Sequence, residues 1–332
     1  MNPITHATRR YVAIAVAGFV GAGAVASIAS ARDTASIGTG VVLITTKLGY
    51  QSGAAAGTGM VLTSSGEVLT NNHVITHSTS IRVTIPGTGK SYPAHVVGYA
   101  VSKDVAVIQL DGASNLKTIT ASTAKVSIGQ KVTAIGNAGG RGVLSTANGS
   151  ITGTGRSIVA GDESGGAERL TGLLETNAGV EPGDSGGALM NSSGQVIGMT
   201  TAASTGYGYR DTAASDAYAI PIARALELAR QMTDGRSSST VHIGPTAFLG
   251  VSVGNGDGGA AIADLVSGGP ADRAGLQDGD VITAVNGRSV RSASSLTTVM
   301  LSLKPGAKVS VTYLDQTGRQ SVSVTLGSGP PQ

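Results

Sequence analysis

The chain has 332 residues, with 23 Lys and Arg against 20 Asp and Glu, a net charge of +3 and a pI near 9.2. It carries 50 glycines, 3% aromatic residues, no tryptophan and no cysteine. The length allows two domains with separate cores, and the missing cysteine excludes disulfides, thiolate catalysis and Cys-ligated zinc. The charge is weakly basic, and without a Lys/Arg run or an aromatic-interleaved stripe no nucleic-acid partner is expected.

At the N-terminus, Arg9 and Arg10 precede an apolar run from Tyr11 to Val20, and a small-residue stretch ends at Ala29-Ser30-Ala31. This is the pattern of a signal peptide over residues 1–31, cleaved after Ala31, which sends the chain out of the cytoplasm. The alternative is an uncleaved N-terminal anchor, since residues 11–29 approach spanning length. Gly18, Gly21 and Gly23 make that span a soft one.

Beyond the leader, short Val/Ile/Thr-rich runs alternate with Gly/Ser/Asn clusters, the grammar of β-structure with tight turns. A first group of strands is predicted at 41–45, 59–63, 68–70, 81–85, 94–99 and 105–110, and a second at 131–135, 145–152, 173–176, 187–190, 196–201 and 217–220. So many short strands point to barrels or a sandwich. Pro221 opens the one strong helix of this part, 222–232, which closes a first domain over residues 32–232. A Gly/Ser-rich linker is expected over 233–244. Residues 245–328 then form a second unit. Its expected elements are a strand starting at Phe248-Leu249-Gly250-Val251, short helices at 270–276 and 295–303, and strands at 280–285, 308–313 and 320–326.

Three segments carry chemistry. Gly183-Asp184-Ser185-Gly186-Gly187 sets a serine in a glycine turn, where its side chain projects and backbone N–H groups are free to face a substrate oxygen. A serine hydroxyl needs a base and an orienting carboxylate, and His73 in Thr70–Val74 and Asp104 in Ser102–Val107 supply those types. The chain order His, Asp, Ser is that of chymotrypsin-type enzymes. The Gly-x-Ser-x-Gly elbow of α/β-hydrolases demands a strand–helix setting that the strand-rich flanks of Ser185 do not offer. His77 follows His73 at helical spacing, but the Glu of the zinc motif is absent, so neither a catalytic metal nor any cofactor is expected. His77, His95 and His242 fit structural or surface roles.

Thr70–Val74, Asp104–Val107 and Gly183–Leu189 together resemble the catalytic segments of trypsin-like peptidases of the HtrA/Deg type, and residues 245–327 resemble their single PDZ domain. The resemblance covers nearly everything after about residue 38. Thr46–Tyr50 and Val241–Gly250 narrow it to the secreted PepA-type serine proteases of mycobacteria. It implies an all-β chymotrypsin-like double β-barrel protease domain followed by a small α+β PDZ domain. It also implies a serine endopeptidase with Ser185 as nucleophile, His73 as general base and acid, and Asp104 orienting the imidazole. The N–H groups of Gly183 and Ser185 would form the oxyanion hole, while Gly57-Thr58-Gly59 matches a structural glycine turn.

By alignment on Ser185, the substrate pocket falls on Gly179, Val180, Thr201, Ala202, Ala203 and Ala219. No acid lies at its floor, so small or medium apolar residues are expected at P1. Phe248, Leu249, Gly250 and Val251 fit the PDZ carboxylate loop and would bind a peptide segment. HtrA relatives are often trimeric, and a homo-oligomer acting on polypeptide substrates is the expectation. Asp184 stands where these relatives commonly carry Asn, and no Ile-Val-Gly-Gly activation sequence follows a basic residue to pair with it.

Overall fold

A computed structural model describes residues 38–50, 53–161, 167–201 and 217–332. The leader and its cleavage site lie outside the described residues, as do Ala202 and Ala203. Strands β1 (Val41–Leu48), β2 (Gly53–Val61) and β3 (Glu67–Thr70) lead into a short helix α1 (Asn72–Ile75). Then come β4 (Ser80–Thr84), β5 (Ser91–Ala100) and β6 (Val105–Leu110). The order β5-β4-β1-β2-β3-β6, with β6 pairing back onto β5, closes a first barrel. Its strands alternate as half-buried strands should: in β4, Ile81 and Val83 point inward while Ser80 and Arg82 face out. The inward residues Val42, Ile44, Val61, Val68, Ile108 and Leu110 fill it.

β7 (Lys131–Gly136), β8 (Ser145–Gly161), β9 (Ala167–Thr176), β10 (Ala188–Asn191), β11 (Val196–Thr201) and β12 (Ala217–Pro221) form a second closed barrel. Val132, Ile151, Leu174, Leu189 and Ile197 pack inside it. Helix α2 (Ile222–Thr233) follows without a break. Its buried Ala225, Ala229 and Met232 join Met60, Leu69, Val105 and Val107 of the first barrel and Met190 and Met199 of the second in one shared core. Burying such side chains contributes about 1.5–3 kcal/mol each, and here that energy fixes the barrels against one another.

The segment after α2 adds a two-residue strand, β13 (His242–Ile243), antiparallel to β5 at Gly98 and Tyr99. Composition alone gave no sign of it. The approach works because Gly98 has no side chain: a Cβ there would lie 2.8 Å from the His242 carbonyl oxygen.

The C-terminal unit comprises β14 (Thr246–Phe248), β15 (Val251–Gly256), β16 (Gly259–Leu265), α3 (Pro270–Arg273), β17 (Val281–Val285) and β18 (Arg288–Ser289). It continues with α4 (Ala293–Leu301), β19 (Lys308–Asp315), β20 (Gly318–Thr325) and β21 (Gly327–Gly329). The sheet runs β15-β16-β17-β19-β20, which leaves β15 at an edge, while β14 pairs with β21. β16 was not anticipated, because Gly-Ala-Ala-Ile-Ala lacks the bulky alternation of a typical strand. Close packing explains the small residues, since a Cβ on Gly259 would meet the Ile282 carbonyl at 2.3 Å. Ser292 and Ser295 cap α4 reciprocally.

Candidate active site

His73 sits in α1, just after β3, and Asp104 follows the 3-10 turn Val101–Lys103 with a left-handed φ of 52°. His73 Nδ1 lies 3.0 Å from both carboxylate oxygens of Asp104, and the His73 backbone N–H also donates to Oδ1 at 3.1 Å. Asn71 Nδ2 donates to the Asp104 carbonyl at 2.8 Å, tying the turn to the start of α1. The Thr201 hydroxyl donates to Asp104 Oδ2 at 3.0 Å. Asp104 is buried, whereas the His73 side chain keeps 49% of its exposure and so faces the cleft. Burial opposes the charged imidazole, but the Asp104 charge and its hydrogen bond outweigh that, so His73 is held above its ordinary pKa.

Ser185 is reached from the second barrel. Gly186 N–H donates to the Thr200 carbonyl at 2.8 Å, which joins the serine turn to the strand whose next residue holds Asp104. Thr58 N–H donates to the Ser185 carbonyl at 2.9 Å. Gly186 has no room for a side chain, because its Cβ would fall 2.1 Å from the Thr58 carbonyl.

Peptide orientation in the turn follows from which carbonyls are held. The Pro182 carbonyl accepts Gly139 N–H at 2.7 Å, and the Asp184 carbonyl accepts Gly187 N–H and the Thr200 hydroxyl, both at 2.9 Å. All described peptides are trans, so the N–H groups of Gly183 and Ser185 point opposite those carbonyls. Two donors thus leave the same turn away from its supports. Thr58 completes the frame: its hydroxyl donates to the Gly183 carbonyl at 2.7 Å and accepts Asn137 N–H at 2.9 Å. The Gly57-Thr58-Gly59 segment therefore belongs to the site as well as to the barrel.

The pocket expectations fare unevenly. Gly179 is exposed and Val180 half-buried beside the serine turn. Thr201 is buried, and its hydroxyl is spent on Asp104 rather than on a pocket wall. Ala219 is fully buried in the interior of the second barrel among Leu174, Leu189 and Ile197, away from any open wall. Glu181 is turned outward and pairs with Arg141 at 3.3 Å.

In the C-terminal unit, Gly250 has a left-handed φ of 83°. The carbonyls of Leu249 and Gly250 accept Ala271 N–H and Val266 N–H at 2.9 Å each, so the N–H groups of Gly250 and Val251 face the other way. Val251 opens the edge strand β15, and α4 packs beside it, with Ala293 N–H bound to Asn255 Oδ1 at 3.0 Å. The Phe248 ring turns toward the first barrel and stacks on Tyr50 with centroids 5.2 Å apart. Among the described residues, no cluster of His, Cys, Asp and Glu is arranged to hold a metal ion.

Residues 57–199 match the trypsin-like peptidase domain family and residues 247–326 the PDZ domain family. The chain is 34% identical over 305 residues to serine protease PepD of Mycobacterium tuberculosis, covering 86% of this chain and 63% of that protein. It is 33% identical over 281 residues to a probable periplasmic serine protease do/HhoA-like of Haemophilus influenzae, covering 81% of this chain and 58% of the relative. The chain therefore spans about three-fifths of the length of these curated relatives. Among solved structures, the HtrA-type protease AlgW with tripeptide aligns at a TM-score of 0.52 and 27% identity, over 91% of this chain and 98% of that one. The serine endoprotease from Yersinia pestis aligns at a TM-score of 0.50 and 26% identity, over 90% and 97%. Two closed barrels, the glycine-set serine turn between them and an appended PDZ domain agree with these matches: the chain carries a trypsin-like peptidase domain followed by a PDZ domain, and is similar in both to HtrA-type serine proteases.

Proposed function

We infer that this chain is an exported serine endopeptidase that hydrolyses peptide bonds through Ser185, His73 and Asp104. The observation that carries the reading is the His73 Nδ1 contact with both oxygens of a buried, Thr201-bonded Asp104, which orients the imidazole for work on its Nε2 side. In this reading Ser185 Oγ attacks the scissile carbonyl while His73 takes its proton. The carbonyl oxygen, now anionic, is received by Gly183 and Ser185 N–H, each such donor being worth about 3–4 kcal/mol in the transition state. Collapse of the tetrahedral intermediate passes the proton from His73 to the leaving amine and leaves an acyl group on Ser185. Water, activated by His73, then releases the acyl group. No step calls for a metal or cofactor.

The PDZ unit, in the same reading, captures a peptide. The N–H groups of Gly250 and Val251 would hold a carboxylate, and the open edge of β15 would pair with an extended segment. A parallel supports this: the HtrA-type protease AlgW was solved with a tripeptide and, in a variant form, with a decapeptide. Export would run through residues 1–31, in keeping with relatives named as periplasmic. The substrate pocket, built around Gly179 and Val180, would favour small or medium apolar P1 residues.

One experiment tests the core of this. A fluorophosphonate serine-hydrolase probe is expected to label wild type and not Ser185→Ala, and a panel of P1-varied peptides is expected to be cleaved after Val or Ala in preference to Arg. Equal labelling of both proteins would overturn the catalytic assignment, and an Arg preference would overturn the pocket.

A further inference from the structure

The segment after β20 does more than end the PDZ sheet. β21 pairs with β14, and Gly329 lies against the Phe248 ring so closely that a Cβ there would fall 2.5 Å from it. From that point the chain leaves its own domain and runs onto the first barrel. The Pro331 carbonyl accepts His77 N–H at 2.8 Å, and the Gln332 carbonyl accepts Asn72 Nδ2 at 3.0 Å. The Gln332 backbone also comes close to the hydroxyl of Tyr99, which lies 2.9 Å from Thr246 Oγ1. Pro330 and Pro331 are buried, as are Asn72 and Tyr99.

These contacts fall on two particular elements. Asn72 immediately precedes His73, and His77 follows directly on the α1 cap, so the segment grips α1 at both ends. Tyr99 is near the end of β5, which runs straight into the turn that presents Asp104. We propose that residues 330–332 act as a splint that holds the His73 helix and the Asp104 turn in register, with Asn72 and Tyr99 as positioning residues for the His73–Asp104 pair. None of these groups faces the reacting atoms. They act by fixing the backbone from which the pair projects, and a catalytic contact is sensitive to displacements of an ångström or less. Two prolines suit the task, since they stiffen the segment and lose little entropy on docking. The inference rests on the reading of His73 and Asp104 as base and orienting carboxylate.

The test compares wild type, a chain ending at Gly329, Asn72→Ala and Tyr99→Phe, each checked for native circular dichroism and cooperative unfolding. Two readouts are taken. The first is the pH profile of kcat/KM for a peptide substrate. The shortened chain is expected to lose about tenfold or more in kcat, the order of effect that misplacement of a catalytic pair produces, with KM little changed. Its acidic limb is expected to move to lower pH, because His73, faced among the described residues by Asp104 as its charged partner, loses the contact that raises its pKa. The point variants should shift in the same direction by less. The second readout is the low-field proton NMR signal of the His73 Nδ1–H···Asp104 bond, which needs no turnover. It is expected to broaden or vanish when the splint is removed. A folded chain ending at Gly329 with an unmoved acidic limb and an intact low-field signal would overturn the proposal. Absence of peptidase activity in wild type, with the signal present and splint-dependent, would instead count against the enzymatic reading alone.

Discussion

Asp184, between Gly183 and Ser185, keeps only 4% of its exposure. The partner that pattern alone left unnamed is a backbone group: Glu181 N–H donates to Oδ2 at 2.9 Å. Oδ1 is buried without a hydrogen-bond partner, against Gly136, whose Cβ would lie 2.5 Å from it. Burial pushes this carboxyl above its ordinary pKa of 3.8. The Glu181 charge adds to that, and the Glu181 N–H and Arg141 only partly offset it. The folded chain therefore binds this proton more tightly than the unfolded chain does. Protonated Asp184 favours folding, and that contribution is lost as pH rises from the ordinary carboxylate range through the raised value. Asp184→Asn keeps an acceptor for Glu181 N–H and removes the charge. Its urea midpoint is expected to gain on wild type across that window and to run parallel above it. Midpoints with the same offset at every pH would refute the assignment.

At the scale of elements, β2 does two jobs. Its glycines let the first barrel close around Val74 and Val68, and Thr58 between them reaches across to the second barrel. The motif Gly57-Thr58-Gly59 was visible in the sequence, but only as a turn, because a hydroxyl bridging residues 79 and 125 positions away leaves no local pattern. Thr58→Val preserves shape and removes both bonds, leaving Gly183 O and Asn137 N–H buried and unmatched at about 1–3 kcal/mol each. It is expected to destabilise the fold by about 2 kcal/mol. It should also lower kcat by about tenfold or more, because the carbonyl that loses the bond and the oxyanion-hole N–H belong to the same residue, Gly183. Thr58→Ser should restore most of both. Denaturation and steady-state kinetics on the three proteins check this, and a Val variant with wild-type kcat would show the bridge to be purely structural.

Across the whole molecule, what the sequence made legible is what depends on local periodicity and on motifs. Each of the twelve expected barrel strands and α2 has a counterpart, although β2 and β9 begin six residues earlier than expected and β8 runs nine residues further, and His73 and Asp104 lie together. What escaped depends on close approach between distant segments. β13 exists because Gly98 admits another backbone, and β16 because small residues fit against Ile282. The Thr201 hydroxyl on Asp104 and the Asn72 side chain on Gln332 are both long-range polar pairings, invisible to spacing. The aligned pocket position of Ala219 failed for a related reason, since alignment fixes the strand but not which barrel face a side chain takes.

The Asn72–Gln332 bond closes a loop of 260 residues, and that has a consequence for when the molecule matures. Contacts between residues so far apart form late, after the intervening units have collapsed and docked. The barrels can acquire their shape before the splint seats, so shape and competence should arrive at different times. In refolding from denaturant, recovery of peptidase activity is expected to lag recovery of far-UV dichroism in the full chain. The lag should shorten in the chain ending at Gly329, whose lower final activity waits for nothing. Coincident recovery in both would refute that order. A hydrolase assembled this way would pass through a folded but idle stage, and residues 330–332 would act as the timer.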